Sequence, residues 1–162
     1  MKVIFLDVDG VLNCTSTKET IGGRCKFVED RKIEILKEIV ECTDARIVLS
    51  STWRLGWIWK DEDPNSYDEF YEGLVRKLNE HGLTLYDKTK QLGTHRGREI
   101  DEWLSRHPDT ESFVILDDES DMDEHIGRLV KTRWYATGAG GGLMRKHIRL
   151  AIELLNKPYI RK

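Results

Sequence analysis

Short apolar runs, each closed by polar or acidic residues, alternate with amphipathic helical patterns along most of the chain, and this order leaves few folds open. Residues 2–6, 45–49, 83–86, 112–116 and 129–134 have the length and the β-branched or large apolar content of buried strands. Between or after them, residues 29–41, 68–81, 96–107 and 143–155 repeat apolar side chains at helical spacing. Gly82 follows the second of these patterns as a C-cap, and Pro108 stops the third. Strands separated by helices imply a parallel sheet covered on both faces. The expected fold is therefore α/β, a doubly wound three-layer Rossmann-like domain over residues 1–162. Stretches 13–28, 55–67 and 137–142 lack either period and read as loops or flaps on that core.

Composition narrows the classes. The 162 residues fit one domain of ordinary size, with 39% hydrophobic residues and 34% charged. No apolar run approaches the roughly 18–20 residues of a membrane span, and the first run meets Asp7 too soon for a secretory leader. The formal charge of −3 offers no global basic field for nucleic acid. Cys14, Cys25 and Cys42 are odd in number and form no CxxC pair, so a reduced, cytoplasmic setting is the expectation.

In open α/β sheets, ligands bind beyond the carboxyl ends of the strands. The residues following three of the runs are Asp7-Val8-Asp9-Gly10, Ser50-Ser51-Thr52-Trp53-Arg54 and Asp117-Asp118-Glu119-Ser120-Asp121. Two carboxylates about 4 Å apart repel by roughly 4 kcal/mol at an effective dielectric near 20. Gathering Asp7, Asp9 and Asp117 at one edge therefore calls for a cation. An all-oxygen set without His or Cys favours Mg²⁺ over Zn²⁺.

These residues carry a family resemblance. Val3-Ile4-Phe5-Leu6-Asp7-Val8-Asp9-Gly10-Val11-Leu12 resembles the first motif of the haloacid dehalogenase (HAD) superfamily. Composition alone would produce four apolar residues before D-x-D-G in about one such chain in 500. Ile47-Val48-Leu49-Ser50 is similar to the second motif, and Val114-Ile115-Leu116-Asp117-Asp118 to the fourth. Leu49-Ser50-Ser51-Thr52-Trp53-Arg54, the Arg-Gly-x-Glu-Ile-x-x-Trp-Leu run from Arg96 to Leu104 and Leu116-Asp117-Asp118 are together similar to small HAD domains of RNA-repair-associated proteins.

The resemblance implies a Mg²⁺-dependent phosphatase. Asp7 would attack phosphorus to form an aspartyl-phosphate. Asp9 would act as general acid and then general base. The metal would be held by the Asp7 carboxylate, the Asp9 backbone carbonyl and Asp117, with Asp118 or Asp121 in support. Ser50 would bind a phosphoryl oxygen, with Gly10 and Ser51 beside it in the substrate site. The third motif needs a cation against the developing phosphoryl charge; Arg96 is favoured by its context, with Lys88 and Lys90 nearby and Arg98 either that cation or a substrate-binding residue. Arg54 meets either substrate or an internal carboxylate.

Blander roles stand beside several of these. Trp53, Trp57 and Trp59 either pack a loop or stack on a nucleobase, and packing is favoured. The run Gly138-Ala139-Gly140-Gly141-Gly142 reads as a strand-to-helix connection, since no Lys-Ser/Thr follows it. The inserts after the first and second motifs are too short for a helical cap, so the site is expected to be open. It would suit a phosphorylated small molecule or the phosphate end of a nucleic acid or protein. Two other classes compete. One is a receiver-like domain phosphorylated on Asp87, and the other a non-catalytic phosphate- or Mg²⁺-binding module accessory to nucleic-acid processing.

Overall fold

The computed structural model describes residues 1–162. Its strands are β1 (Lys2–Leu6), β2 (Thr20–Ile21), β3 (Cys25–Lys26), β4 (Arg46–Leu49), β5 (Leu85–Lys88), β6 (Ser112–Asp117) and β7 (Leu129–Lys131). The α-helices are α1 (Asp30–Thr43), α2 (Leu55–Glu62), α3 (Glu69–Glu80), α4 (Arg96–Arg106) and α5 (Ile148–Leu155). Five strands form one sheet in the order β5-β4-β1-β6-β7, every pair parallel. The chain leaves β1 for β4 and β5 on one side and returns to β6 and β7 on the other. The order reverses at β1, and such a switch point opens a crevice at the carboxyl edge.

Side-chain alternation along β1 feeds two cores. Ile4 and Leu6 pack with Ile33, Leu36 and Ile39 of α1, Leu74 and Leu78 of α3, and Ala151 and Leu155 of α5. Val3 and Phe5 face the opposite layer, with Ile100, Trp103 and Leu104 of α4. Phe5 meets Trp103 and Phe113 edge-on, at centroid distances of 5.4 and 5.6 Å. The arrangement is the three-layer α/β fold that the periodicity predicts.

Four segments differ from the expected assignments. Residues 55–67, read as irregular, contain α2, entered through a 3₁₀ turn at Thr52–Arg54 that is capped by the Ser51 hydroxyl. Residues 13–28 contain the antiparallel β2–β3 hairpin. The strand expected at 83–86 lies two residues later, because the Leu83 N–H closes the end of α3 on the Leu78 carbonyl. The last helix begins at Ile148 rather than 143, since the Leu143 N–H is held in the loop by the Val11 carbonyl and a 3₁₀ turn follows. The glycine run serves as a packed connection, where the buried Lys32 ammonium donates to the Gly141 carbonyl at 2.6 Å.

Candidate active site

Strand register fixes the floor of the site. Leu6 pairs with Leu49 on one side and Leu116 on the other. The ladder runs one step further, with Asp7 N–H donating to the Leu116 carbonyl at 3.0 Å and Ser50 N–H to the Leu6 carbonyl at 2.8 Å. Asp7, Ser50 and Asp117 thus come level at the carboxyl edge of three adjacent strands, 43 and 110 residues away from Asp7 in sequence.

The carboxylate oxygens of Asp7, Asp117 and Asp118 lie within 4.8 Å of one another. Asp7 and Asp117 are buried and Asp118 is half-buried. Burial, and secondarily the charge of Asp117, hold the Asp7 carboxyl well above the usual carboxylate range. Burial likewise pushes Asp117 to about 6. Burial outweighs the opposing charge of Arg96 at both carboxylates. Three oxygen donors with no nitrogen or sulfur ligand fit a hard divalent cation.

Gly10 permits the third member to approach. Its φ is +83°, and a Cβ there would stand 2.3 Å from the Asp118 carboxyl carbon. Asp121, the other candidate for the fourth motif, is used elsewhere: its carboxylate accepts from the Arg96 N–H at 3.1 Å and its carbonyl from the Gly97 N–H at 2.9 Å. A Cβ on Gly97 would stand 2.1 Å from the Met122 carbonyl oxygen. The start of α4 is therefore pressed against the loop that follows β6.

That docking delivers the cation. The Arg96 guanidinium lies 3.7 Å from Asp117 and 3.8 Å from Glu99, and its charge bears on Asp7. Arg98, two residues on, is exposed and borders a separate groove with Asp101, Glu102, Asp123 and Glu124. Lys88 pairs with Asp61, and Lys90 with Glu102. Ser50 is 1% exposed, and its buried hydroxyl has no hydrogen-bond partner. An orphaned buried hydroxyl at the lip of an acidic cluster is free to meet a ligand oxygen. Ser51 caps the following turn through its Oγ, 3.2 Å from the Trp53 nitrogen.

Asp9 points the other way. It is exposed, and its two oxygens accept from Asn13 Nδ2 at 2.9 Å and Trp53 Nε1 at 3.1 Å. Its carboxylate is no member of the acidic cluster, so it does not gather with Asp7 and Asp117 as expected. Asn13 is fully buried; its Oδ1 accepts from the Gly10 N–H, and its Nδ2 also reaches the Lys26 carbonyl of β3. Trp53 packs edge-on to Phe70, 5.1 Å between centroids. Trp57 stacks on Tyr71. Packing, the favoured reading for the tryptophans, holds for these two.

Arg54 pairs with an internal carboxylate, one of its two anticipated roles. It is buried, its Nη2 donates to both oxygens of Glu99 at 2.9 and 3.0 Å, and its Nη1 donates to Thr89 at 3.2 Å. Glu99 also accepts from the Leu92 N–H at 2.8 Å. It therefore fastens Arg54, Arg96 and the loop before α4 together. Arg54, Arg96, Thr52 and Gln91 line a polar cavity of about 160 Å³ beside Ser50's loop. The roles of Glu99 and Asn13 are not among those expected from the sequence. Their partners lie up to 45 residues away, and the only local sign was a carboxylate on the apolar side of α4.

Asp87, the receiver-type acceptor, has its carboxylate held by Trp103 Nε1 at 2.8 Å and lies outside the acidic cluster. No helix is long and apolar enough to cross a membrane.

A central parallel sheet carrying aspartates at the ends of β1 and β6 defines a HAD-type α/β domain. The chain belongs to the family of HAD domains in Swiss Army Knife RNA repair proteins, whose family model matches residues 3–139. No curated protein and no solved structure gives a significant match to the chain.

Proposed function

We propose that residues 1–162 act as one Mg²⁺-dependent phosphomonoester hydrolase working through an aspartyl-phosphate on Asp7. The observation that carries this reading is the meeting of Asp7, Asp117 and Asp118 with the unpartnered Ser50 hydroxyl and Arg96 at one sheet edge. Asp7, Asp117, Asp118 and the Asp9 carbonyl would hold the ion, which when bound offsets charge on the aspartates and on the phosphoryl oxygens.

Asp7 attacks phosphorus as the bond to the leaving oxygen breaks. Asp9 gives its proton to that oxygen, then takes one from the water that releases phosphate and restores the Asp7 carboxylate. Ser50 donates to one equatorial oxygen and Arg96 stabilises others. Trp53 and Asn13 keep the Asp9 carboxylate turned towards the leaving-group side. The family's RNA-repair setting supports a phosphorylated nucleic-acid end ahead of a small metabolite or a phosphoprotein.

Phosphate release from an aryl phosphate with Mg²⁺ tests the reading. Turnover that vanishes on chelation and in Asp7→Asn supports it. Equal turnover in Asp7→Asn overturns it.

A further inference from the structure

Beside Asp9 lies a second cavity, of about 350 Å³, walled by Trp53, Leu55, Trp59 and Phe70 and closed by Cys25 of the hairpin. That volume falls within the roughly 300–1,000 Å³ range of small-molecule sites. Resting on the phosphatase reading, we infer that this cleft is the leaving-group subsite and that it receives the nucleoside of a phosphorylated nucleotide or RNA end.

Position comes first. A general acid must lie within hydrogen-bond reach of the oxygen that it protonates. Asp9 forms part of the cleft wall, so whatever is bonded to that oxygen sits in or over the cleft. Charge comes second. The lining contains two carboxylates, Asp9 and Asp68, and no lysine or arginine. A phosphate or carboxylate placed inside the cleft would be repelled, so the cleft takes the nucleoside and any further phosphodiester lies outside it. A neutral group with N–H donors is matched, because only one Asp68 oxygen is used, accepting from the Tyr71 N–H at 3.0 Å.

Shape comes third. Of the three tryptophans around α2, Trp53 is pinned between Asp9 and Phe70, and Trp57 between Tyr71 and the Lys88 ammonium. Trp59 has no aromatic partner and is 48% exposed at the mouth of the cleft. A flat, uncharged ring with amino groups is the ligand that an open indole face and an acidic wall would hold together. Base stacking on aromatic side chains contributes roughly 1–3 kcal/mol, about 5- to 150-fold in affinity.

The experiment uses the full chain and two readouts. The first is kcat/KM with Mg²⁺ for 3′- and 5′-nucleoside monophosphates, short RNAs phosphorylated at either end, a phosphotyrosine peptide and glycerol phosphate. Nucleotide or RNA substrates should lead glycerol phosphate by about tenfold or more. Trp59→Ala should erase that lead while leaving glycerol phosphate within about twofold, and Trp59→Phe should keep most of it. Equal use of nucleotides and glycerol phosphate, equal losses on both in Trp59→Ala, or preference for the peptide would overturn the subsite while the phosphatase stands. The second readout is quenching of tryptophan fluorescence by an unphosphorylated dinucleotide, which needs no turnover. Saturable quenching that Trp59→Ala abolishes supports the subsite even if no compound is hydrolysed, and its absence overturns it.

Discussion

Asp7 and Asp9 are two residues apart in sequence and occupy opposite surroundings. Asp7 ends β1 inside the sheet edge, buried among Asp117, Asp118 and Arg96, with its carboxyl held above the usual range. Asp9 lies beyond the last ladder bond, exposed, with an indole N–H and an amide N–H on its two oxygens. The difference separates their chemistry. One carboxylate is packed against like charges that a divalent cation would relieve further, which matches the nucleophile proposed for it. The other is oriented by two neutral N–H donors at the edge of an apolar cleft, which matches the proton transfer proposed for it. Tight backbone packing at Gly10 makes the separation possible by letting Asp118 close over the turn.

The largest expected break in this contrast is Asp7→Asn. Phosphate release should fall by about 10⁴-fold or more, the scale seen when a nucleophile is removed. The same variant, free of metal, should melt higher than wild type, because a buried like-charge contact is gone; differential scanning calorimetry reads both proteins in chelator. Next is Glu99→Ala. Breaking one side of a buried ion pair typically destabilises by about 3–5 kcal/mol, so denaturant midpoints should drop sharply, while the exposed Arg98→Ala should leave them nearly unchanged. Third, saturating Mg²⁺ at about 100 times its Kd should add roughly 2.7 kcal/mol to wild type. That is a rise of about 5–11 °C in Tm, and it should shrink in Asp118→Asn. The smallest effect belongs to the Asp9 side. Trp53→Phe retains a ring against Phe70 but removes the indole donor, and should lower kcat by about tenfold, the scale of one hydrogen bond to a charged group. Metal-induced stabilisation in that variant should match wild type.

Much of the floor was legible because it depends on local pattern. The runs ending in Asp7, Ser50 and Asp117 are strands by composition, and parallel register brings their ends level without further information. The walls were not legible. Helix α2 was hidden by Gly56, which reads as a helix breaker; a Cβ there would stand 2.6 Å from Asp68 and Tyr71, so the glycine lets α2 and α3 pack closely. The choice of Arg96 over Arg98 depends on Gly97 lying against the Met122 backbone, a contact across 25 residues. The duties of Glu99 and Asn13 are likewise tertiary. The offset of β5 follows from the Leu83 N–H closing the end of α3 on the Leu78 carbonyl, a backbone hydrogen bond that side-chain periodicity does not register.

The most direct test of the contrast is the identity of the phosphorylated residue. Acid-quenching the protein in the first turnover with Mg²⁺ and a phosphomonoester, then reducing with borohydride, converts an aspartyl-phosphate to homoserine that mass spectrometry locates. The arrangement of β1 predicts homoserine at position 7 alone, its amount rising in Asp9→Asn when the substrate is an aryl phosphate, whose leaving group needs no acid while water attack is slowed. Homoserine at position 9 or 87, or undiminished turnover with no modified residue, would contradict it.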